Sequence, residues 1–158
     1  MSYVVSGQLA PAMKALAGSI ELRPNANANW QLGEVCARLG DAERAIAAYE
    51  AAIGLQPKLL LQANNLAWLL STHSDDRLRD GRRALEIASA ICGQPEATAS
   101  SVDTLAAAQA ESGDYLAAAR SARRAKQMAV DAEQHALAER IGRRLELYLL
   151  KTPFRDGE

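Results

Sequence analysis

The sequence predicts an all-α chain, built as a solenoid of antiparallel helix pairs, and three observations lead there. Its 158 residues are 49% hydrophobic but only 4% aromatic. Ala and Leu dominate the apolar share and there are five prolines, so intrinsic propensity favours helices over strands. Apolar residues recur every third or fourth position rather than alternating. Finally, one phrase is written twice. GDAERAIAAYEAAIGLQP at 40–57 has a looser echo in GDYLAAARSARRAKQMAV at 113–130, and the 73 residues from Gly40 to Gly113 make two units of 34 with five residues inserted.

Taken in order, the elements follow from that phase. Gly7, Ala12, Leu16 and Pro24 fit the second half of a unit. Residues 1–24 therefore read as a partial repeat, with the end of a first helix at Tyr3, a turn at Gly7 and a helix from about Leu9 to Leu22. Residues 26–59 form the first complete unit. Leu32, Val35, Cys36 and Leu39 make one stripe, and Ala45, Ile46, Tyr49, Ala52 and Ile53 make the facing one. Gly40 ends the first helix in a left-handed cap, Asp41 caps the second and Pro57 stops it. The unit at 60–98 contains LLQANNLAWLLSTH, a turn lengthened by SDDRLRDG, and a second helix with Ala84, Ala88 and Ile91. The unit at 99–131 has Leu105, Ala106, Gly113-Asp114, Ala118, Ala122 and Ala125, but Val130 where a proline would stop the helix. A last amphipathic helix at 132–150 carries Leu137, Ile141, Leu145, Tyr148 and Leu149, and 151–158 is expected as a flexible tail. Each pair leaves an apolar face that only the next pair can bury.

The unit ANANWQLGEVCARLGDAERAIAAYEAAIGLQPKL resembles the tetratricopeptide repeat, with Leu32-Gly33, Gly40-Asp41, Ala45, Tyr49, Ala52 and Pro57 at that family's characteristic places. The resemblance covers about residues 3–150. It implies a right-handed superhelix in which 132–150 is the capping helix. The family's Trp is missing from the fourth place, where Asn29, Ala63 and Val102 stand, and Gln109 replaces a usual buried Tyr. NNLAWLLSTH and VDTLAAAQAESGDY further resemble stretches of bacterial members that belong to longer chains, among them glycosyltransferases and envelope assembly factors.

Composition and spacing disfavour several functions. The net charge of −1 supplies no global attraction to nucleic acid or acidic lipid. Cys36 and Cys92 lack CxxC spacing, which disfavours a disulfide scaffold or zinc site. His73 and His135 stand far apart with no HExxH or GxSxG context, and no GxxxxGK[ST] loop occurs, so neither metal nor cofactor is expected. Asp75-Asp76 reads as a solvated turn rather than a catalytic carboxylate pair. With no signal-like start and no bilayer-length apolar run, a cytoplasmic protein is expected, or a piece of an envelope-associated one.

The expectation is therefore a non-catalytic module that binds a protein or peptide partner. The alternative is a regulatory or substrate-presenting domain of a larger enzyme such as a bacterial glycosyltransferase. The resemblance places groove side chains at Asn27, Trp30, Glu34, Ala37 and Arg38, then at Leu61, Asn64, Trp68, Ser71 and Thr72, then at Ser100, Asp103, Ala107, Ala110 and Glu111. This mixture suits an extended or helical peptide with an apolar anchor. Packing between repeats is the competing reading for Trp30 and Trp68. The family's carboxylate clamp needs Lys and Asn where Trp30 and Glu34 stand, which disfavours that specificity.

Two further surfaces are expected. Arg120, Arg123, Arg124 and Arg140, Arg143, Arg144 repeat at i, i+3, i+4 and form a basic stripe on two successive helices. It reads either as a solvated face or as a contact for an anionic partner, with a membrane touched at most indirectly. Nucleic acid is disfavoured because aromatics for base stacking are scarce nearby. At the other end, Leu9, Met13, Leu16 and Ile20 form a stripe that a partial repeat covers on one side only, so a homodimer through these residues is expected.

Overall fold

The computed structural model describes residues 3–156, except the side chains of residues 3–10, 12, 61 and 62. The described residues form eight α-helices and no strand. They are α1 (Tyr3–Leu22), α2 (Ala26–Leu39), α3 (Ala42–Leu55), α4 (Asn64–Thr72), α5 (Gly81–Cys92), α6 (Ala99–Glu111), α7 (Tyr115–Asp131) and α8 (His135–Leu149). The chain divides into two compact units, Met1–Leu60 and Leu61–Glu158.

In the first unit the Gly-Asp phrase has a physical explanation. Gly40 takes a left-handed φ of 77°, its N–H donates to the Ala37 carbonyl at 3.1 Å, and the Asp41 N–H reaches back to the Cys36 carbonyl at 2.9 Å. The Asp41 carboxylate then accepts from the Arg44 N–H at 3.2 Å. Two residues thus satisfy the carbonyls ending α2 and a donor opening α3, which reverses the chain without a longer loop. The pair closes at Gly33, whose hydrogen atoms face the ring of fully buried Tyr49. The tyrosine hydroxyl donates to Glu34 Oε1 at 2.9 Å, fixing the ring against α2.

The turn expected at Gly7 is absent, because α1 continues from Tyr3 through Gly7 and Pro11 to Leu22. Gln8 follows Gly7 where Asp follows Gly40, so no capping side chain is present to open a second helix. Met13, Leu16 and Ile20 are half-buried, and the side chain of Leu9 lies outside the described residues.

The second unit contains α4 to α8. Its core joins Val102, Ala106 and Ala110 of α6 to Ala118, Ala122, Ala125 and Ala129 of α7 and to Ala138, Ile141 and Tyr148 of α8. Alanine loses no rotamer entropy on burial and lets backbones approach closely. Larger fully buried residues such as Leu66, Ile87 and Ile141 each contribute about 1.5–3 kcal/mol. Asp80, Thr98 and Asp114 open α5, α6 and α7 by accepting backbone N–H groups at 2.9, 3.2 and 2.9 Å.

The Gly113 turn repeats the Gly40 geometry, with φ 85° and the Asp114 N–H bonded to the Gln109 carbonyl at 2.9 Å. Two further helix ends use the same bonds without glycine. Glu133 closes α7 at φ 57° and Lys151 closes α8 at φ 55°; the next residues, Gln134 and Thr152, reach back to Ala129 and Leu147 at 2.8 and 2.9 Å. The long turn after α4 is folded rather than loose. The Asp80 N–H bonds the Leu70 carbonyl at 3.0 Å, and Arg79 donates to the carbonyls of His73 and Ser74 at 2.7 and 3.0 Å.

Two stability changes are expected. A methyl group at residue 33 would stand 2.6 and 2.7 Å from Tyr49 ring carbons, so Gly33→Ala should destabilise the first unit by about 1–3 kcal/mol in urea unfolding. Conversely, Glu133→Gly relieves a left-handed side chain and should stabilise by about 0.5–1 kcal/mol, read as a raised urea midpoint at unchanged slope.

Candidate functional site

The first helices of successive pairs in the second unit, α4 and α6, present one face together with α8. Asn64, Asn65 and Trp68 from α4, Ser100, Asp103 and Thr104 from α6, and Leu137, Arg140 and Arg144 from α8 line a cleft of about 370 Å³. Asn64 and Trp68, Ser100 with Asp103 and Thr104, and Leu137, Arg140 and Arg144 stand at three- or four-residue steps, the spacing that keeps side chains on one side of a helix. The cleft combines an aromatic surface with side chains that donate and accept hydrogen bonds, and it carries both charges. Its remaining wall is Phe154 and Asp156, from the segment after α8.

Asp103 and Arg144 form its floor. Both are buried, at 3% and 7% exposure, and the guanidinium meets the carboxylate through two bonds, Nε to Oδ1 at 3.1 Å and Nη2 to Oδ2 at 2.5 Å. The same guanidinium lies 5.1 Å from the Trp68 ring centre and 5.3 Å from that of Phe154, so two aromatic faces supplement its carboxylate. Burial pushes the Asp103 carboxyl up, and the Arg144 charge opposes that shift. Nearby, burial also raises the Tyr148 phenol, with the Asp103 charge adding to the effect.

Glu111, at the end of α6, holds a second ionic group. Its Oε1 accepts from Arg79 at 2.9 Å and its Oε2 lies 2.7 Å from Arg155. All three side chains are mostly covered, at 14% exposure for Glu111 and Arg79 and 17% for Arg155. Ion pairs so shielded from solvent are screened less than exposed ones.

Several residues expected in separate surfaces therefore come together. Asn64, Trp68 and Asp103, expected in a groove, share the cleft with Arg140 and Arg144, expected in a basic stripe. Arg144 is a correction to that stripe: it points inward because Asp103, 41 residues earlier, offers a carboxylate inside the fold. Arg120, Arg123, Arg124, Arg140 and Arg143 remain exposed. Thr72 is buried and spends its hydroxyl on the Trp68 carbonyl at 2.9 Å. The Leu61 side chain lies outside the described residues.

In the first unit, Asn27 and Arg38 are exposed, while Trp30 packs on Tyr49 with ring centres 4.9 Å apart and Glu34 holds the Tyr49 hydroxyl. A separate apolar cleft of about 490 Å³ is lined there by Ala15, Leu16, Gln31, Glu34 and Val35.

Sequence reasoning missed Phe154, Arg155 and Asp156. Of residues 151–158, expected as a flexible tail, Phe154, Arg155 and Asp156 lie against α4 and α6. The signal was present as an aromatic, a base and an acid directly after Pro153, but nothing in a linear reading connects them to Trp68 or Glu111.

Among the described residues no group of three or more His, Cys, Asp or Glu side chains is placed to hold a metal. Arg77 grips the Asp75 carboxylate through hydrogen bonds that lower its pKa to about 2. Burial raises the pKa of both Cys36 and Cys92, which keeps these free thiols protonated. No described helix is long and apolar enough to cross a membrane.

Asp103→Asn leaves the Arg144 charge buried without its counter-ion and is expected to cost about 3 kcal/mol. Replacing both residues, as Asp103→Leu with Arg144→Met, is expected to recover most of that loss. Parallel urea titrations of the single and double variants check both values.

Residues 26–59 match the family model for the tetratricopeptide repeat. No curated protein matches the chain. The matched segment is the α2–α3 hairpin with its Gly40-Asp41 turn, and the α6–α7 hairpin repeats that turn at Gly113-Asp114. Residues 26–59 thus carry a tetratricopeptide repeat, and helices throughout the described residues, with each hairpin packed on its chain neighbour within its unit, agree with a helical-repeat fold of that kind.

Proposed function

We propose that this protein is a non-catalytic interaction module whose α4–α6–α8 face takes an extended peptide carrying an apolar anchor. Tetratricopeptide repeats generally mediate protein–protein interaction. The observation that carries the specific reading is Trp68. It is half-buried at the cleft, braced from behind by Arg144, with its indole N–H directed along the open face to Asp156 Oδ2 at 3.2 Å. A rigid aromatic side chain with one polar edge gives a peptide both an apolar platform and a register-fixing hydrogen bond. Asn64, Asn65, Ser100 and Thr104 add polar groups for main-chain amides, and Arg140 adds a charge at the rim.

On the first unit, Asn27, Trp30, Glu34 and Arg38 occupy the corresponding places of α2. Trp30 and Glu34 already serve Tyr49 there. We therefore assign partner recognition chiefly to Trp68 and a larger share of packing to Trp30.

The test is selection of random peptides on the intact chain, followed by titration of the winners. Trp68→Ala is expected to weaken their binding at least tenfold with little change in melting temperature. Trp30→Ala should lower the melting temperature more than it weakens binding. Failure to select any saturable peptide, or affinities unchanged by Trp68→Ala, would remove this reading.

A further inference from the structure

The segment after α8 makes contacts of the kind expected from a bound peptide. Lys151, at its left-handed φ of 55°, reverses the chain at the end of α8, with the Thr152 N–H bonded back to the Leu147 carbonyl at 2.9 Å. Pro153 follows, which favours an extended conformation at Thr152. The next three side chains then meet three different surfaces. The Phe154 ring centre is 5.8 Å from that of Trp68 and 5.3 Å from the Arg144 guanidinium carbon, so the two rings lie side by side against that group. Arg155 pairs with Glu111 at 2.7 Å and donates to the Ser71 carbonyl at 3.3 Å. Asp156 donates its backbone N–H to the Thr72 carbonyl at 2.8 Å and accepts the Trp68 indole N–H.

An aromatic anchor, a charge pair and a main-chain bond to the end of a helix together define a short motif in one register. Each contact requires a particular side-chain chemistry. Glu111 demands a base, because a neutral or acidic residue there would leave its Oε2 beside no cation. The carboxylate of Asp156 satisfies the indole N–H. The aromatic ring closes Arg144 against solvent. The segment does not fill the cleft, since Asn64, Asn65, Ser100, Leu137 and Arg140 still line open volume beside it.

We propose that residues 153–156 are an intramolecular stand-in for the partner, and that the face recognises extended peptides with the pattern aromatic, arginine, acid, which bind by displacing this segment. The inference rests on the α4–α6–α8 face being the peptide site. Tethering by a short turn gives the segment an effective concentration of roughly millimolar, so with an intrinsic affinity of about 100 μM for the face the segment would weaken any competing peptide about tenfold. The segment therefore sets a threshold, admitting only partners that bind better than it or are present at high concentration.

A labelled synthetic peptide, KTPFRDGE, tests this in trans. It is titrated by fluorescence anisotropy into the wild-type chain and into full-length Phe154→Ala and Arg155→Ala variants, with helicity and melting temperature recorded for each. The expected result is binding at least about tenfold tighter to the variants than to the wild type. A scrambled peptide and one with glutamate in place of the arginine should lose the binding, as should Glu111→Gln introduced beside Phe154→Ala. If Phe154→Ala does not fold, the Arg155→Ala comparison stands alone. Equal affinity for wild type and variants, or no saturable binding to a folded variant, would overturn the proposal and make the segment a purely structural cover. If peptides selected from random libraries bind through Trp68 while KTPFRDGE does not, the motif fails and the peptide-binding reading survives. If neither binds, both fail.

Discussion

The buried pair of Asp103 and Arg144 is the constraint around which the second unit is arranged. Two ions removed from water cost several kcal/mol each unless every face is satisfied. Here the carboxylate takes two guanidinium bonds, and the Trp68 and Phe154 rings lie against the guanidinium, their centres 5.1 and 5.3 Å from its carbon. The pair joins α6 to α8, while its covering draws in α4 and the segment after α8. A hydrophobic pair of similar size would hold these elements as well or better. What the ions add is direction: only one register of α8 against α6 places the guanidinium fork on the carboxylate.

That register has a consequence for binding. Trp68 stands on α4 with one face already occupied by a cation, so it is stiffer than a lone surface indole. A rigid platform loses less side-chain entropy when a ligand arrives. Glu111 has a comparable role at the far end of α6. Its two oxygens are divided between Arg79, which secures the long turn before α5, and Arg155 from the terminal segment. The lengthened turn, which reads as an insertion in the sequence, thus supplies half the charge balance of Glu111.

Both units repeat one device at their helix ends. Four helix ends, at Gly40, Gly113, Glu133 and Lys151, turn through a left-handed residue with paired backbone bonds. The two glycines were legible because only glycine takes that conformation without cost, and aspartate follows both. Glu133 and Lys151 were not legible, since in each case the tertiary fold holds an ordinary residue in that conformation. Gly7 shows the converse: a glycine in the expected phase lies inside a helix because no capping residue follows it.

The sequence by itself determined the fold class, the hairpins around Gly40 and Gly113, and the small residues that let their helices approach. These are local or nearly local matters: propensity, apolar period, and caps made by neighbours in the chain. Tertiary structure alone decided that Arg144 turns inward although its i, i+3, i+4 spacing groups it with exposed arginines. It also decided that Trp30 rests on Tyr49 while Trp68 borders a cleft, and that Phe154, Arg155 and Asp156 meet α4 and α6. The reason is physical. An arginine side chain can reach solvent or a buried partner from the same helical position, and the choice depends on which carboxylate the fold brings within about 3 Å. In this protein that carboxylate is 41 residues away in sequence, beyond anything a helical period records.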